Sequence, residues 1–204
     1  MTIIHSNLIW ENHDGKKKLF IKSNNEEKSN HNNLMTLNPY TSKLAAALFN
    51  GLEIFPIQSN SRIILDDEYS KIVLEQICNI STNGKIHLLE KQKDEKILYS
   101  KNVEIIHTLN NSTDFLKNNE MVDVLYLDPK QNKNILEKIV KYQSILKQNG
   151  FLIFLYNYEY YEEQDTKKNL QNILNKLKET FVLIQEINLS DFFKSSFMVI
   201  MSKK

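Results

Sequence analysis

Residues 62–71, Arg-Ile-Ile-Leu-Asp-Asp-Glu-Tyr-Ser-Lys, carry an apolar triplet straight into three consecutive carboxylates. Ile63, Ile64 and Leu65 form the short apolar run expected of a strand buried on both faces of a parallel sheet. Beyond Lys71, the residues Ile72, Val73, Gln76, Ile77 and Ile80 share one helical face on which only Gln76 is polar. The stretch predicts a strand, a tight turn and a helix, the first βα unit of an α/β sheet. Ligands of such sheets bind beyond the carboxyl ends of the strands, and the first turn commonly carries glycines that let backbone N–H groups approach an anion. Here the turn reads Asp66, Asp67, Glu68, Tyr69, Ser70, with no glycine.

The 204 residues can bury a substantial core, and they predict one α/β unit over residues 37–204 preceded by a small β region over residues 1–36. Lysine plus arginine (26) nearly balances aspartate plus glutamate (25), which argues against a strongly electrostatic, non-specific nucleic-acid binder. The single cysteine, Cys78, lies on the helix after the acidic turn; an internal disulfide is excluded, and the residue is read as core in a reducing compartment. The first fifteen residues lack a basic start with a continuous apolar stretch, and no later segment approaches about 18 apolar residues. The expectation is a cytoplasmic protein with no membrane partner.

Upstream of the central stretch, His13-Asp14-Gly15 between two short apolar runs predicts a β-hairpin. Residues 23–33 hold no apolar side chain and predict a loop. Asn38-Pro39 announces a turn, and Ser42 is placed to cap a helix from Lys43 to Phe49 that ends at Asn50-Gly51. Downstream, strands are expected at 85–89, 103–107, 122–127 and 151–156. Between the last two, Ile135, Leu136, Ile139, Val140, Ile145 and Leu146 predict a helix stopped at Asn149-Gly150. Leu170, Ile173, Leu174 and Leu177 mark another helix, followed by strands at 181–187 and 197–201 with no room for a helix between them. Such a chain builds a mostly parallel sheet with one antiparallel strand near its edge, as in Rossmann-like methyltransferases, although the alternation alone fits many α/β enzymes. Tyr156, Tyr158, Tyr160 and Tyr161 are read as packing rather than as a base-stacking platform, and the lysine- and glutamate-rich runs as solvated helix faces.

Residues 37–57, LNPYTSKLAAALFNGLEIFPI, resemble the segment that precedes the first sheet strand in fibrillarin, the RNA 2′-O-methyltransferase of box C/D guide ribonucleoproteins. The likeness continues through NGKIHLLE, VDVLYLDPKQ, NGFLIF and INLSDFFKSSFMVIM, and it includes the N-terminal hairpin in its compact, archaeal-type form. The resemblance implies a methyltransferase fold, S-adenosylmethionine as cofactor, and an active-site set of Lys, Asp, Lys and His. Two members fall on Lys43 in the S-K-L motif and Asp128 after the fourth sheet strand. The other Lys falls on Asn157 and the His on Ser195 or Ser196, so both are replaced.

The cofactor positions implied by the resemblance are also altered. Asp66 and Ser70 stand on the two glycines of the family's first loop, and Thr108 stands where an adenine-contacting Asp is expected. Glu90 matches the acidic residue that takes the ribose hydroxyls. A carboxylate beside the ligand's own carboxylate costs roughly 1–4 kcal/mol at about 4 Å. Taken without the resemblance, Asp66, Asp67 and Glu68 read best as acidic residues at a helix N-terminus, a role compatible with a pocket filled by its own side chains. No metal-ligand spacing is found among the histidines.

The reading is therefore a fibrillarin-like subunit whose transfer chemistry is impaired or absent, in effect a pseudoenzyme with a structural role in rRNA processing. By resemblance its partners are a Nop-family scaffold protein and, through it, a box C/D guide RNA with its RNA substrate. The alternative is an active, S-adenosylmethionine-dependent, guide-directed 2′-O-methyltransferase of rRNA or tRNA, with Asp128 orienting the ribose hydroxyl and Lys43 supporting it. An enzyme using another ligand in the same pocket is a third class.

Overall fold

The computed structural model describes residues 7–22, 34–67, 71–90, 101–107, 121–129, 134–157 and 163–204. Strands β1 (Leu8–His13) and β2 (Lys16–Lys22) form the expected hairpin, with Asp14 and Gly15 at φ 52° and 73° in its turn. A strand not foreseen, β3 (Leu34–Leu37), pairs antiparallel with β2, making a three-stranded sheet. Helix α1 (Lys43–Phe49) follows, and Gly51 at φ 89° turns the chain away from it.

The large sheet comprises β4 (Arg62–Asp67), β5 (Lys85–Glu90), β6 (Val103–His107), β7 (Val122–Asp128), β8 (Leu146–Asn157), β9 (Phe181–Asn188) and β10 (Ser196–Lys203). Its order is β6-β5-β4-β7-β8-β10-β9. Neighbours from β6 to β8 are parallel, and β10 runs antiparallel to both β8 and β9, so the reversed strand lies one place in from the edge as expected. Among the described residues the helices beside this sheet are α2 (Lys71–Ile80), α3 (Ile135–Tyr142) and α4 (Glu163–Leu177).

Strand alternation splits the core between the two faces of this sheet. On one face Ile63, Leu65, Val124, Tyr126, Ile153, Leu155, Met198 and Ile200 pack with Leu44–Leu48 of α1, Val73 and Ile77 of α2, and Leu19, Ile21 and Leu37 of the small sheet. On the other, Ile64, Leu125, Leu127, Leu152, Phe154 and Val199 pack with Ile135, Ile139 and Tyr142 of α3 and with Leu170 and Leu174 of α4. The small sheet thus shares its apolar face with the α1 side of the large one. Gly84 is required where β5 begins, because a Cβ there would stand 2.0 Å from the Ser61 carbonyl oxygen.

Two helix expectations are corrected. The helix after β7 stops at Tyr142 rather than at Asn149; a 3₁₀ turn (Gln143–Ile145) follows and Leu146 already belongs to β8. The Lys203 ammonium donates to the carbonyls of Gln143 and Leu146, both at 2.7 Å, so oxygens released by the unwinding are satisfied. Between the Val122–Leu146 and Val124–Phe151 pairs, residues 147–150 stand opposite Asp123 alone, and Asn149-Gly150 shapes this irregularity instead of ending a helix. Asp123 accepts from Lys147 Nζ at 2.5 Å and from the Arg62 N–H at 2.8 Å, tying the irregular segment to β4. Val140 and Ile72, placed on buried helical faces by sequence periodicity, are exposed; Ile135, Ile139 and Tyr142 carry the contact of α3, and Val73, Gln76 and Ile77 that of α2.

Candidate functional site

Lys43 and Asp128 meet at the C-terminal edge of the large sheet. Ser42 is extended (φ −136°, ψ 120°) and its Oγ accepts the Ala45 N–H at 3.2 Å, the N-cap geometry that makes Lys43 the first helical residue. The Ser42 hydroxyl donates in turn to Gln76 Oε1 at 2.6 Å in a buried contact. Gln76 is the polar interruption of the apolar face of α2, so the start of α1 is latched to that helix. From there Lys43 Nζ reaches Asp128, the last residue of β7, at 2.8 Å to each carboxylate oxygen. The Asp128 side chain is 2 % exposed and that of Lys43 15 %. Such charge-assisted bonds hold the carboxylate in a fixed orientation, and an ionised carboxylate acts only as an acceptor.

The replaced positions lie beside this pair. Asn157 ends β8, Ser196 begins β10, and the two are registered partners across the antiparallel ladder. Ser196 Oγ donates to Asn157 Oδ1 at 2.8 Å. Ser195, just before it, sits at φ 61°, in the left-handed region that non-glycine residues seldom adopt. By alternation Asp128, Asn157 and Ser196 share the α1 face of the sheet with Val124, Tyr126, Leu155 and Met198. The fold thus brings Lys43, Asp128, Asn157 and Ser196 to one edge and one face. Two of the four form an ion pair, and the other two are neutral groups bonded to each other.

Asp66 departs from expectation. Strand β4 continues through both Asp66 and Asp67, whose ladder partners are Leu127 and Asp128, so neither belongs to the turn. Helix α2 is described from Lys71, with no acidic residue in its first turn. Asp66 shares the face of Ile64 and is buried, and Lys138 of α3 reaches both of its oxygens at 2.9 Å. Lys138 compensates the Asp66 charge, which offsets the expected like-charge penalty, and the side chain adds bulk at the strand end. Burial, with the Asp66 charge second, pushes the neighbouring Tyr142 phenol up to about 12. An ion pair consequently closes each face of the β4–β7 edge.

Of the remaining site positions, Glu90 is the last residue of β5, paired in the ladder with His107. Ser70 and Thr108 lie outside the described residues, as do Glu68, Tyr69, Tyr158, Tyr160 and Tyr161. Among the described residues no group of three His, Cys, Asp or Glu side chains is placed to hold a metal ion. Lys138 and Tyr142 were not foreseen as site residues. Gln76 had one signal, its polarity on an apolar face; Lys138 had none, since its partner lies on a different element.

The strand order, with its single reversed strand and its polar groups gathered at the C-terminal edge, defines a methyltransferase-type Rossmann-like protein. Within that class the chain belongs to the fibrillarin family, whose model, described as Fibrillarin, matches residues 6–204. It is 25 % identical over 177 residues to a fibrillarin-like rRNA/tRNA 2′-O-methyltransferase of Methanococcus maripaludis, covering 80 % of this chain and 75 % of that one. In fold it is similar to the Methanococcus jannaschii fibrillarin, a pre-rRNA processing protein (TM-score 0.83, 22 % identity, 98 % and 95 % of the two chains). It is also similar to a chain of a fibrillarin/Nop5p complex (0.80, 17 %, 97 % and 98 %). A third similar structure is Aeropyrum pernix fibrillarin with natively bound S-adenosyl-L-methionine (0.77, 17 %, 97 % and 94 %).

Proposed function

We propose that this chain serves as a structural, scaffold-binding member of a box C/D-type guide ribonucleoprotein, in the cytoplasm, with its methyl-transfer chemistry impaired or absent. The observation that carries this reading is the Ser196–Asn157 hydrogen bond. Where the resemblance calls for a lysine and a histidine, a hydroxyl and an amide are bonded to each other, so these two positions offer the Lys43–Asp128 pair neither a cation nor an imidazole. The strand end at Asp66 supports the same reading. A buried side chain ion-paired to Lys138 takes the place of the glycine whose backbone would approach the cofactor, so this corner does not fit the methionine end of S-adenosylmethionine in the family's manner. A Nop-family partner is supported by the similar fibrillarin crystallised with Nop5p, and the guide RNA would be reached through that partner.

The second reading, an active 2′-O-methyltransferase, is favoured by one observation: Lys43 holds the Asp128 carboxylate through both oxygens. In that reading Asp128 orients a ribose hydroxyl by accepting its hydrogen bond, and Lys43 fixes the carboxylate. S-adenosylmethionine would supply the methyl group when bound. Two measurements separate the readings: calorimetric titration with S-adenosylmethionine, and methyl transfer in a reconstituted particle. Micromolar cofactor binding, or transfer abolished by Asp128→Ala, overturns the structural reading. Absence of both supports it.

A further inference from the structure

Four aromatic rings form a row beside α1. Trp10 of β1 stands edge-on to Phe49 at 4.9 Å, Phe49 lies 6.0 Å from Phe192, and Phe192 lies 5.1 Å from Tyr40. Trp10, Phe49 and Phe192 are half-buried and pack on the core. Tyr40 differs: at 69 % it is the most exposed large apolar side chain among the described residues. Its ring plane makes an angle of 83° with that of Phe192, a perpendicular contact that can occupy one face of the Tyr40 ring at most. The backbone beneath the ring is fixed. The Tyr40 N–H donates to Asn38 Oδ1 at 2.9 Å, and the Thr41 and Ser42 N–H groups both donate to the Asn38 carbonyl at 3.2 Å. Ser42 then caps α1, so Tyr40 stands three residues before Lys43, within about 11 Å of it along the chain. Phe192 belongs to the β9–β10 loop, in which the N–H groups of Phe192 and Phe193 donate to the Leu189 carbonyl at 2.9 and 2.8 Å. The same loop carries the exposed Lys194, two residues before Ser196. An exposed ring and an exposed ammonium group thus stand at the edge where Lys43 meets Asp128 and Ser196 meets Asn157.

We propose that Tyr40 stacks an unpaired base of an RNA strand lying along this edge, with Lys194 on a neighbouring phosphate. The inference rests on the reading above that the chain serves in an RNA-bearing particle, and it holds whether or not a methyl group is transferred. A ring held on a hydrogen-bonded turn loses little freedom on binding, and stacking on it accepts any base. An apolar protein segment is the rival occupant. It needs contiguous apolar surface, whereas the exposed neighbours of the ring on its own turn and on the β9–β10 loop are Asn38, Thr41, Asp191 and Lys194. A base needs one accessible ring face and its phosphate a cation, and this edge offers both.

The test is fluorescence anisotropy of the full chain with a labelled 12-nucleotide single-stranded RNA over a range of salt concentrations, followed by ultraviolet cross-linking of the same RNA carrying 5-bromouridine. Tyr40→Ala is expected to weaken binding about tenfold. Tyr40→Phe and Tyr40→Trp should retain it, and all three variants should keep the wild-type Tm. Lys194→Ala should lower the slope of log affinity against log salt by about 0.7, the release expected for one single-strand phosphate contact. Peptide mapping should place the cross-link on Tyr40. The proposal is overturned by no saturable binding, by binding unchanged in Tyr40→Ala, by a cross-link absent from Tyr40, or by equal losses in Tyr40→Ala and Tyr40→Phe, which assign the contact to the hydroxyl. Assembly with a Nop-family protein and a guide RNA, followed by gel filtration, is scored separately. Failed RNA measurements with a particle that still forms remove the stacking site alone, and a chain that joins no particle removes the reading on which it rests. Assembly lost in Tyr40→Ala with RNA binding unchanged assigns the ring to a protein partner and overturns the proposal.

Discussion

Replacing Gln76 by leucine tests how the Lys43–Asp128 pair is held. The change removes the acceptor 2.6 Å from the Ser42 hydroxyl and leaves that hydroxyl buried, while keeping approximately the same volume against Val73 and Ile77. A stranded buried donor costs about 1–3 kcal/mol. Burying an apolar side chain in place of an amide offsets about 1 kcal/mol, so the net loss is about 1 kcal/mol, or about 2–4 °C in Tm for a chain of this size. Ser42→Ala costs more, about 3 kcal/mol, because it loses the N-cap as well as stranding the Gln76 amide. The double variant strands nothing and loses little beyond the cap, about 1 kcal/mol. The cycle therefore predicts a coupling of about 2–3 kcal/mol. Urea denaturation followed by circular dichroism, with Trp10 fluorescence as a second probe, measures all four proteins. Additivity within about 0.5 kcal/mol would refute the claim that α2 latches the start of α1.

Lys138→Met removes the Lys138 ammonium from the buried Asp66 carboxylate and is expected to cost about 3 kcal/mol, with Lys138→Arg retaining most of the stability; equal urea midpoints for Met and Arg would contradict this. Burial holds the His87 imidazole below its ordinary value of 6.5, with Glu104 opposing the shift, so the unfolded chain takes up a proton at a higher pH than the native one. His87 thus costs nothing well above pH 6.5, and stability falls as the pH drops through 6.5 toward the lowered native value. His87→Gln should flatten that part of the stability–pH curve. Burial, helped by Glu75, pushes the Cys78 thiol up to about 11, so a thiol-specific reagent at about pH 8 should react slowly with the native protein and at once in urea.

The large sheet was legible because its strands are short apolar runs bounded by turns, and because two strands without an intervening helix leave little choice but one reversal beside the edge. Lys43 and Asp128 were legible through their motifs, and Ser42 through its place ahead of an apolar run. The four-residue β3 was missed because only Leu37 among its residues is fully buried and its pairing with β2 is non-local. The Asp66–Lys138 pair was not legible because local reasoning assigns carboxylates before a helix to its N-terminus, whereas Lys138 lies 72 residues away on α3, which packs on the same face of the sheet as Asp66. The same limit hid the Ser196–Asn157 bond, since sequence shows the loss of a lysine and a histidine but not that their replacements are ladder partners. The start of β8 was misplaced because Ile145 and Leu146 suit a buried strand and a helical face equally well.

The account rests most heavily on the state of the sheet edge between Asp66 and Ser196. Isothermal titration of the purified full chain with S-adenosylmethionine addresses it directly. The account predicts no saturable heat at micromolar cofactor, with Asp66 and Lys138 paired at the end of β4 and Ser196 bonded to Asn157. A micromolar, one-to-one binding isotherm would contradict it and return the chain to the working methyltransferases of its family.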